Sequence, residues 1–397
     1  MKGIVFVGDN QYHVGSHFMQ GIQQDLMQLS IATDMVDFSD PLQSERLVTG
    51  EHSLSDYDFI LSYNAVGVAL RTMNDELAKQ IDSMALYVLC VDHPIYQLER
   101  ISQSNAIMLC VDQEHVKFCE LLGFTAHYFP HAVSAHAMAP EQFVSVHDKT
   151  NEFLFPASYI DRQACRDKLA PIWDQISSFI DQVTNVTHFM QCLGALPLPG
   201  ETEKVVLSPQ SLCICLLVDQ YLRARDREQM LLKCAQQHIK LTVIGRGVEQ
   251  FRSVCDFHTY ESQLDVEELH QRMRKAKYVV HQSPGFIAGL HERVVMPLAL
   301  GTLVLTDEPF VKAALPNVVT LNELTTIDDQ LYNHKVDVCA TQVINNYTWL
   351  HQLTPIMQQL RQKLGKPMTQ PVTQPLTQST SEFTLLSNTK GQGVALN

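Results

Sequence analysis

Short, nearly unbroken apolar runs recur along the chain, separated by stretches whose apolar residues return every third or fourth position. GIVFVGD (3–9), ATDMVDF (32–38), YDFILSYN (57–64), MALYVLCVD (84–92), NAIMLCVD (105–112) and AHYFPHAV (126–133) read as six strands. Between them, Phe18, Ile22, Leu26 and Leu29 give one helix, residues 74–83 a second, and Val116, Cys119 and Leu122 a third. Apolar strands alternating with amphipathic helices predict a parallel sheet covered on both faces.

The pattern then restarts. EFLFPAS (152–158), IKLTVIGRG (239–247), KYVVHQS (277–283) and TLVLTDE (302–308) are the strands of a second such unit. Helices are predicted over 163–193, 209–237, 265–276 and 292–301, with a Pro/Gly loop at 195–204 and one last helix over 343–364. The expected division is 1–150, 151–342, a terminal helix 343–365 that returns to the first domain, and a tail 366–397. The tail repeats Thr, Gln and Pro with few large apolar residues, and such a composition predicts disorder.

The length of 397 residues suits two domains and a tail. A formal charge of −14 argues against nucleic acid or an anionic membrane surface as a partner, because both need a basic field. No apolar run is long enough for a membrane span, and the N-terminal run is too short for a signal-peptide core. The ten cysteines include no CxxC pair and read as free thiols of a cytoplasmic protein.

Candidate chemistry sits where strands end. Gly8-Asp9-Asn10 with Gly15 is a strand-to-helix turn that lacks GxGxxG spacing, which argues against a dinucleotide fold. Asp92-His93-Pro94 follows a strand; its carboxylate and imidazole suit a general base, and Asp92 equally suits a helix cap. In SPGFIAGLHERVVMPLALGTLVLTDEP (283–309), Gly285 and Gly289 let the backbone approach a ligand, and His291, Glu292 and Arg293 open a helix. Arg293 suits a phosphate and Glu292 a pair of sugar hydroxyls, against a solvated helix start where Glu is favoured by the dipole. Arg223 and Arg227, four apart, share a helix face, read as solvated and ion-paired ahead of a phosphate site. His127 and His131 lack a third ligand, so no metal site is expected.

GLHERVVMPLALGTLVLTDE resembles the C-terminal signature of GT-B glycosyltransferases, most closely the CgeB-type (spore-maturation-like) group. VDHPIYQLERI, YFPHAV, FLFPASYIDR and KLTVIGRG fall in the order this group shows, over residues 57–320. The resemblance implies an α/β protein of two Rossmann-like domains facing across a cleft. It implies glycosyl transfer from a nucleotide sugar held by the second domain to an acceptor (protein, glycan or small molecule) held by the first. No metal or redox cofactor is implied. His13, Asp92 and His93 become the catalytic candidates. Ser158, Arg162, Gly245, Arg246, Gly247, Gly285, Gly289, His291, Glu292 and Arg293 become the donor-binding candidates. Retaining members often carry a Glu five residues before the helix-end Gly; here that position is Met296, with Glu292 one turn earlier. Met296 also favours a degenerate, binding-only scaffold as the alternative, and a nucleotide-sugar epimerase fits the same double fold.

Overall fold

The structure, a computed structural model, describes residues 1–8, 14–134, 143–196, 207–283 and 285–366. The first sheet contains β1 (Lys2–Val7), β2 (Ala32–Asp37), β3 (Phe59–Tyr63), β4 (Ala85–Cys90), β5 (Ile107–Cys110) and β6 (Thr125–Tyr128), in the order β2-β1-β3-β4-β5-β6. The second contains β7 (Thr150–Pro156), β8 (Leu241–Ile244), β9 (Thr259–Glu261), β10 (Ala276–Val280) and β11 (Leu303–Leu305), in the order β11-β10-β7-β8-β9. Every pairing is parallel.

Alternation along each strand divides the core. In β1, Val5 and Val7 face the helix Val14–Gln28 with Phe18, Ile22 and Leu26, while Ile4 and Phe6 pack on the opposite face with Leu77 and Ile81. A strand buried on both sides must be apolar at every position, as these runs are. In each sheet the opening strand lies between two others: β1 between β2 and β3, β7 between β8 and β10. The chain reverses its direction of growth there, and the carboxyl ends on either side of such a point splay apart to leave a crevice.

Two helix expectations change. Residues 163–193 form three helices, Arg162–Lys168, Ala170–Ile176 and Val186–Cys192. Pro171 starts the second, and the Asn185 side chain accepts from His188 N to start the third. The predicted last helix is two, Asp329–Asn346 and Trp349–Lys363. Between them the backbone is diverted onto the first domain: Val133 N donates to Tyr347 O (2.9 Å) and Trp349 N to Val133 O (3.0 Å). Thr348 caps the new helix through His351 N. Buried Asp25 accepts from Leu350 N at 2.9 Å, and Trp349, Leu353 and Met357 join the first sheet's core.

The segments 162–196 and 207–222 pack against the first domain as well. Ile176, Val186, Phe189, Val218 and Leu222 share one apolar cluster with Ile95 and Phe118. Of the predicted tail, only Lys366 is described, and its ammonium lies 2.7 Å from Asp58; residues 367–397 lie outside the described residues, as does most of the 195–204 loop. No described helix is long and apolar enough to cross a membrane.

Candidate active site

The two crevices face each other across the domain seam. At the second sheet's crevice stand the end of β7, Pro156 to Ser158, and the end of β10, His281 to Ser283. The helix Glu292–Ala299 starts beside them. Its N-cap is His291, whose Nδ1 accepts from Arg293 N at 3.1 Å. A nitrogen that accepts carries no proton, so the ring proton sits on Nε2. That N–H lies 3.4 Å from Arg293 Nη2, another donor. Two donors aimed at one spot lack an acceptor between them.

Arg293 Nη1 donates to Pro156 O at 2.8 Å, and Arg227 Nη1 to Ser158 O at 2.5 Å. No described carboxylate forms an ion pair with Arg227 or Arg293, and the Nε of each is buried without a partner. Burial, with the charges of Arg293 and Arg223 beside it, pulls Arg227 down to about 9. Around this pair, His131 and His281 are buried with both ring nitrogens unpartnered. Their rings lie 5.2 and 5.7 Å from that of His291. Burial, then the Arg293 charge, holds His131 at about 3 and His281 well below the usual imidazole range. The cluster is therefore a dry nest of donors around two unmatched guanidinium cations, the electrostatic complement of an oxyanion. Among the described residues no His, Cys, Asp or Glu group is placed to hold a metal ion.

The first domain supplies the opposite wall. Asn64, in the left-handed region just after β3, accepts from Val91 N (3.1 Å) and donates Nδ2–H to Asp92 Oδ2 (3.2 Å). Asp92 also faces Arg223 Nη1 at 3.5 Å. Arg223 Nε lies 2.6 Å from Asp219 Oδ2, which accepts from Tyr96 OH at 2.6 Å. Asp92 is thus no helix cap; His93 takes that place, accepting from Ile95 N at 3.2 Å. His93 is buried between His115 and Phe118, with its ring 4.5 Å from that of His115. His13 lies outside the described residues.

The donor-binding candidates divide in the same way. Glu292 is half-buried and its carboxyl is pushed up to about 7 by burial; Arg293 works against this and Asp92 with it. The solvated helix start is therefore wrong for this helix, whose flank is covered by the first domain. The solvated face expected for Arg223 and Arg227 is wrong too, because the long helix Pro209–Gln236 runs through the seam. Arg162 is occupied elsewhere, with Nη1 3.2 Å from Glu228 Oε2 and Nη2 donating to Tyr221 OH. Ser158 lies at the crevice by its carbonyl. Gly245 lets the ends of β7 and β8 meet, since a Cβ there would stand 2.4 Å from Ala157 O. Arg246 is exposed, and Gly247 turns the chain at φ +69°. Gly285, at φ +89°, lies against Asp219. Gly289 approaches backbone instead of a ligand: a Cβ would fall 2.2 Å from Val111 O of the first domain. Beside it, Ala288 N donates to Asp112 Oδ2 (2.8 Å) and Gln113 N to Ala288 O (3.1 Å), clamping the domains.

Asn64 and His281 are the residues of this cluster that the sequence reading left out, whereas it weighed Arg227 and His131 and set them aside, Arg227 as part of a solvated face ahead of a phosphate site and His131 for want of a third metal ligand. A signal existed for the long helix: Asp219, Arg223 and Arg227 follow at intervals of four beside the apolar row Cys215, Val218 and Leu222.

No protein-family model matches the sequence, and no curated protein matches it. Among solved structures, the chain is similar to sucrose-phosphate synthase from Thermosynechococcus elongatus, with 10% identity over 92% of this chain and 100% of that chain and a TM-score of 0.54. It is likewise similar to trehalose-6-phosphate from E. coli bound with UDP-2-fluoro glucose, with 10% identity over 91% of this chain and 99% of that one and a TM-score of 0.51. At that identity the likeness shows the fold: two parallel-sheet α/β domains in the GT-B arrangement, spanning most of the chain.

Proposed function

We propose that the chain is a glycosyltransferase that takes a sugar from a nucleotide-sugar donor and passes it to an acceptor hydroxyl. The observation that carries this reading is the pair of guanidinium groups, Arg227 and Arg293, that have no carboxylate partner among the described residues and stand with His291 Nε2–H at the crevice of the second sheet. A diphosphate satisfies all of these donors together. One member of the solved GT-B neighbours carries UDP-2-fluoro glucose, which supports the same ligand class here.

In this reading the diphosphate lies against Arg227 and Arg293, where buried cations stabilise the charge that grows on it as the sugar leaves. Two guanidiniums do that work without a resident metal, and hexosyl transfer needs no redox cofactor. Asp92, held by Asn64 and Arg223, faces the transferred sugar and takes the acceptor's proton. His93 positions the Asp92 turn from behind. The likeness of GLHERVVMPLALGTLVLTDE to the CgeB-type group supports a place near that group and a cytoplasmic enzyme. Met296 packs in the core with Val295 and Leu298, so its presence is no argument for a dead scaffold.

Titration with UDP, GDP and dTDP tests the site. Arg293→Ala should weaken the best-bound diphosphate about tenfold to a hundredfold, the loss of a hydrogen bond to a charged group, and leave the corresponding nucleoside unchanged. Equal diphosphate affinities in variant and parent would remove Arg293 from the site.

A further inference from the structure

Residues 286–289 belong to the second domain, between β10 and the helix Glu292–Ala299, yet their hydrogen bonds run to the first. Asp112 Oδ2 accepts from Ala288 N at 2.8 Å, and Gln113 N donates to Ala288 O at 3.1 Å. Among the described residues these are the only hydrogen bonds that 286–289 make. Two packing contacts fix the same loop. The Phe286 ring lies 5.2 Å from that of His115 and 5.1 Å from that of His291. At Gly289 the Val111 carbonyl leaves no room for a Cβ. Asp112 is fully buried, and its Oδ1 accepts from Glu114 N at 2.7 Å, capping the helix Gln113–Leu121. A cap needs one oxygen; the second is spent across the seam.

The held loop ends at His291, whose Nδ1 accepts from Arg293 N and whose Nε2 stands 3.4 Å from Arg293 Nη2. We propose that Asp112 is a positioning residue for the diphosphate half of the donor site: the first domain, through Asp112 and Gln113, fixes the path of 286–289 and so the placement of His291 and Arg293. This deepens the nucleotide-sugar reading and rests on it. Arg227 and the end of β7 are placed by the second domain itself, whereas the loop has no hydrogen bond of its own there. Released from Asp112, it holds His291 and Arg293 in the binding geometry for a fraction of the time, and diphosphate affinity falls by that fraction. A nucleoside has no phosphate to lose.

Asp112→Asn isolates the seam bond. Asn caps a helix as well as Asp does and keeps an oxygen for Glu114 N. Its amide N–H2 then meets Ala288 N–H, donor against donor. UDP, GDP and dTDP, each with its nucleoside, are titrated calorimetrically into the full chain, and urea denaturation reports the stability of every variant. For whichever diphosphate binds, Asp112→Asn should weaken it about tenfold, the order expected for one hydrogen bond to a charged acceptor, and leave the nucleoside at the parent affinity. Gly289→Ala, which pushes the loop off Val111 O, should weaken the diphosphate in the same way and carries the test if Asp112→Asn does not fold. Asp40→Ala removes the cap of the helix Pro41–Thr49 elsewhere in the first domain and should lower stability without changing either affinity. Parent diphosphate affinity in Asp112→Asn, while Arg293→Ala still weakens binding, overturns the role of Asp112 alone. Equal losses of diphosphate and nucleoside also overturn it, since they place the effect in the fold and not in the loop. No heat from any probe in the parent overturns the nucleotide-sugar reading, and this inference with it.

Discussion

At the scale of single residues, Glu292 and Met296 share a helix and lie one turn apart, yet they meet different surroundings. Glu292 faces the other domain and its charge couples to Asp92, while Met296 is buried among Leu298, Val295 and Leu300. Counting back from Gly301 finds the position that carries Glu in many retaining enzymes, but in this chain that position points into the core. Met296→Glu should therefore fail to add a ribose contact. It should destabilise the fold by about 1–3 kcal/mol or more, the cost of an unpaired polar group placed in an apolar cluster. Urea denaturation with nucleoside titration checks both halves; a stable variant with tighter nucleoside binding would put position 296 at the ligand. Asp92, Glu292 and Arg293 were legible because strand ends and helix starts can be read from the sequence. Arg227 was not, because helical spacing shows which residues share a face but not what that face meets.

At the scale of elements, the long apolar strands were legible and the joints between helices were not. MALYVLCVD could be little but a buried strand, and β4 lies within it. β9 is three residues, Thr259–Glu261, too short for a period to show. The missed break at Tyr347 and Thr348 has no Gly or Pro to announce it. Its cause is tertiary: Val133 pairs with the chain on both sides of Thr348, and Asp25, 325 residues away in sequence, receives Leu350 N. Local spacing cannot contain such a contact. Thr348→Ala removes the cap of the helix Trp349–Lys363 and should cost about 0.5–2 kcal/mol of stability, while diphosphate affinity stays at the parent value. A loss of affinity in that variant, with stability unchanged, would mean that the terminal helix acts on the site instead of on the first domain's core.

At the scale of the whole molecule, the seam between the domains is a line of buried aromatic and imidazole rings. His93 and His115 stand 4.5 Å apart, His115 meets Phe286 at 5.2 Å, Phe286 meets His291 at 5.1 Å, and His291 meets both His131 and His281. The first domain contributes His93, His115 and His131, and the second Phe286, His281 and His291, so burial of these rings depends on the domains staying together. Burial, the leading cause in each case, lowers the pKa of His93, His131, His281 and His291. In the unfolded chain they titrate near 6.5. Below that pH the unfolded chain binds protons that the folded one refuses, so stability is full above about 6.5 and is lost as the solution is acidified. Each of the four costs up to about 1.4 kcal/mol per pH unit. Glu292 acts in the opposite sense between 4.5 and about 7, because there the folded state is the more protonated one, and buried Asp226 and Glu308 act with it, but burial also lowers His17, His258 and His270, so these three carboxyls stand against seven histidines. The urea midpoint should therefore fall from pH 6.5 to 5.0, above the range where surface carboxylates titrate. His281→Gln, which keeps a polar side chain without a titrating one, should make that fall shallower. A midpoint that holds or rises on acidification would mean that water reaches these rings in solution and that the domains part more readily than their shared apolar cluster implies.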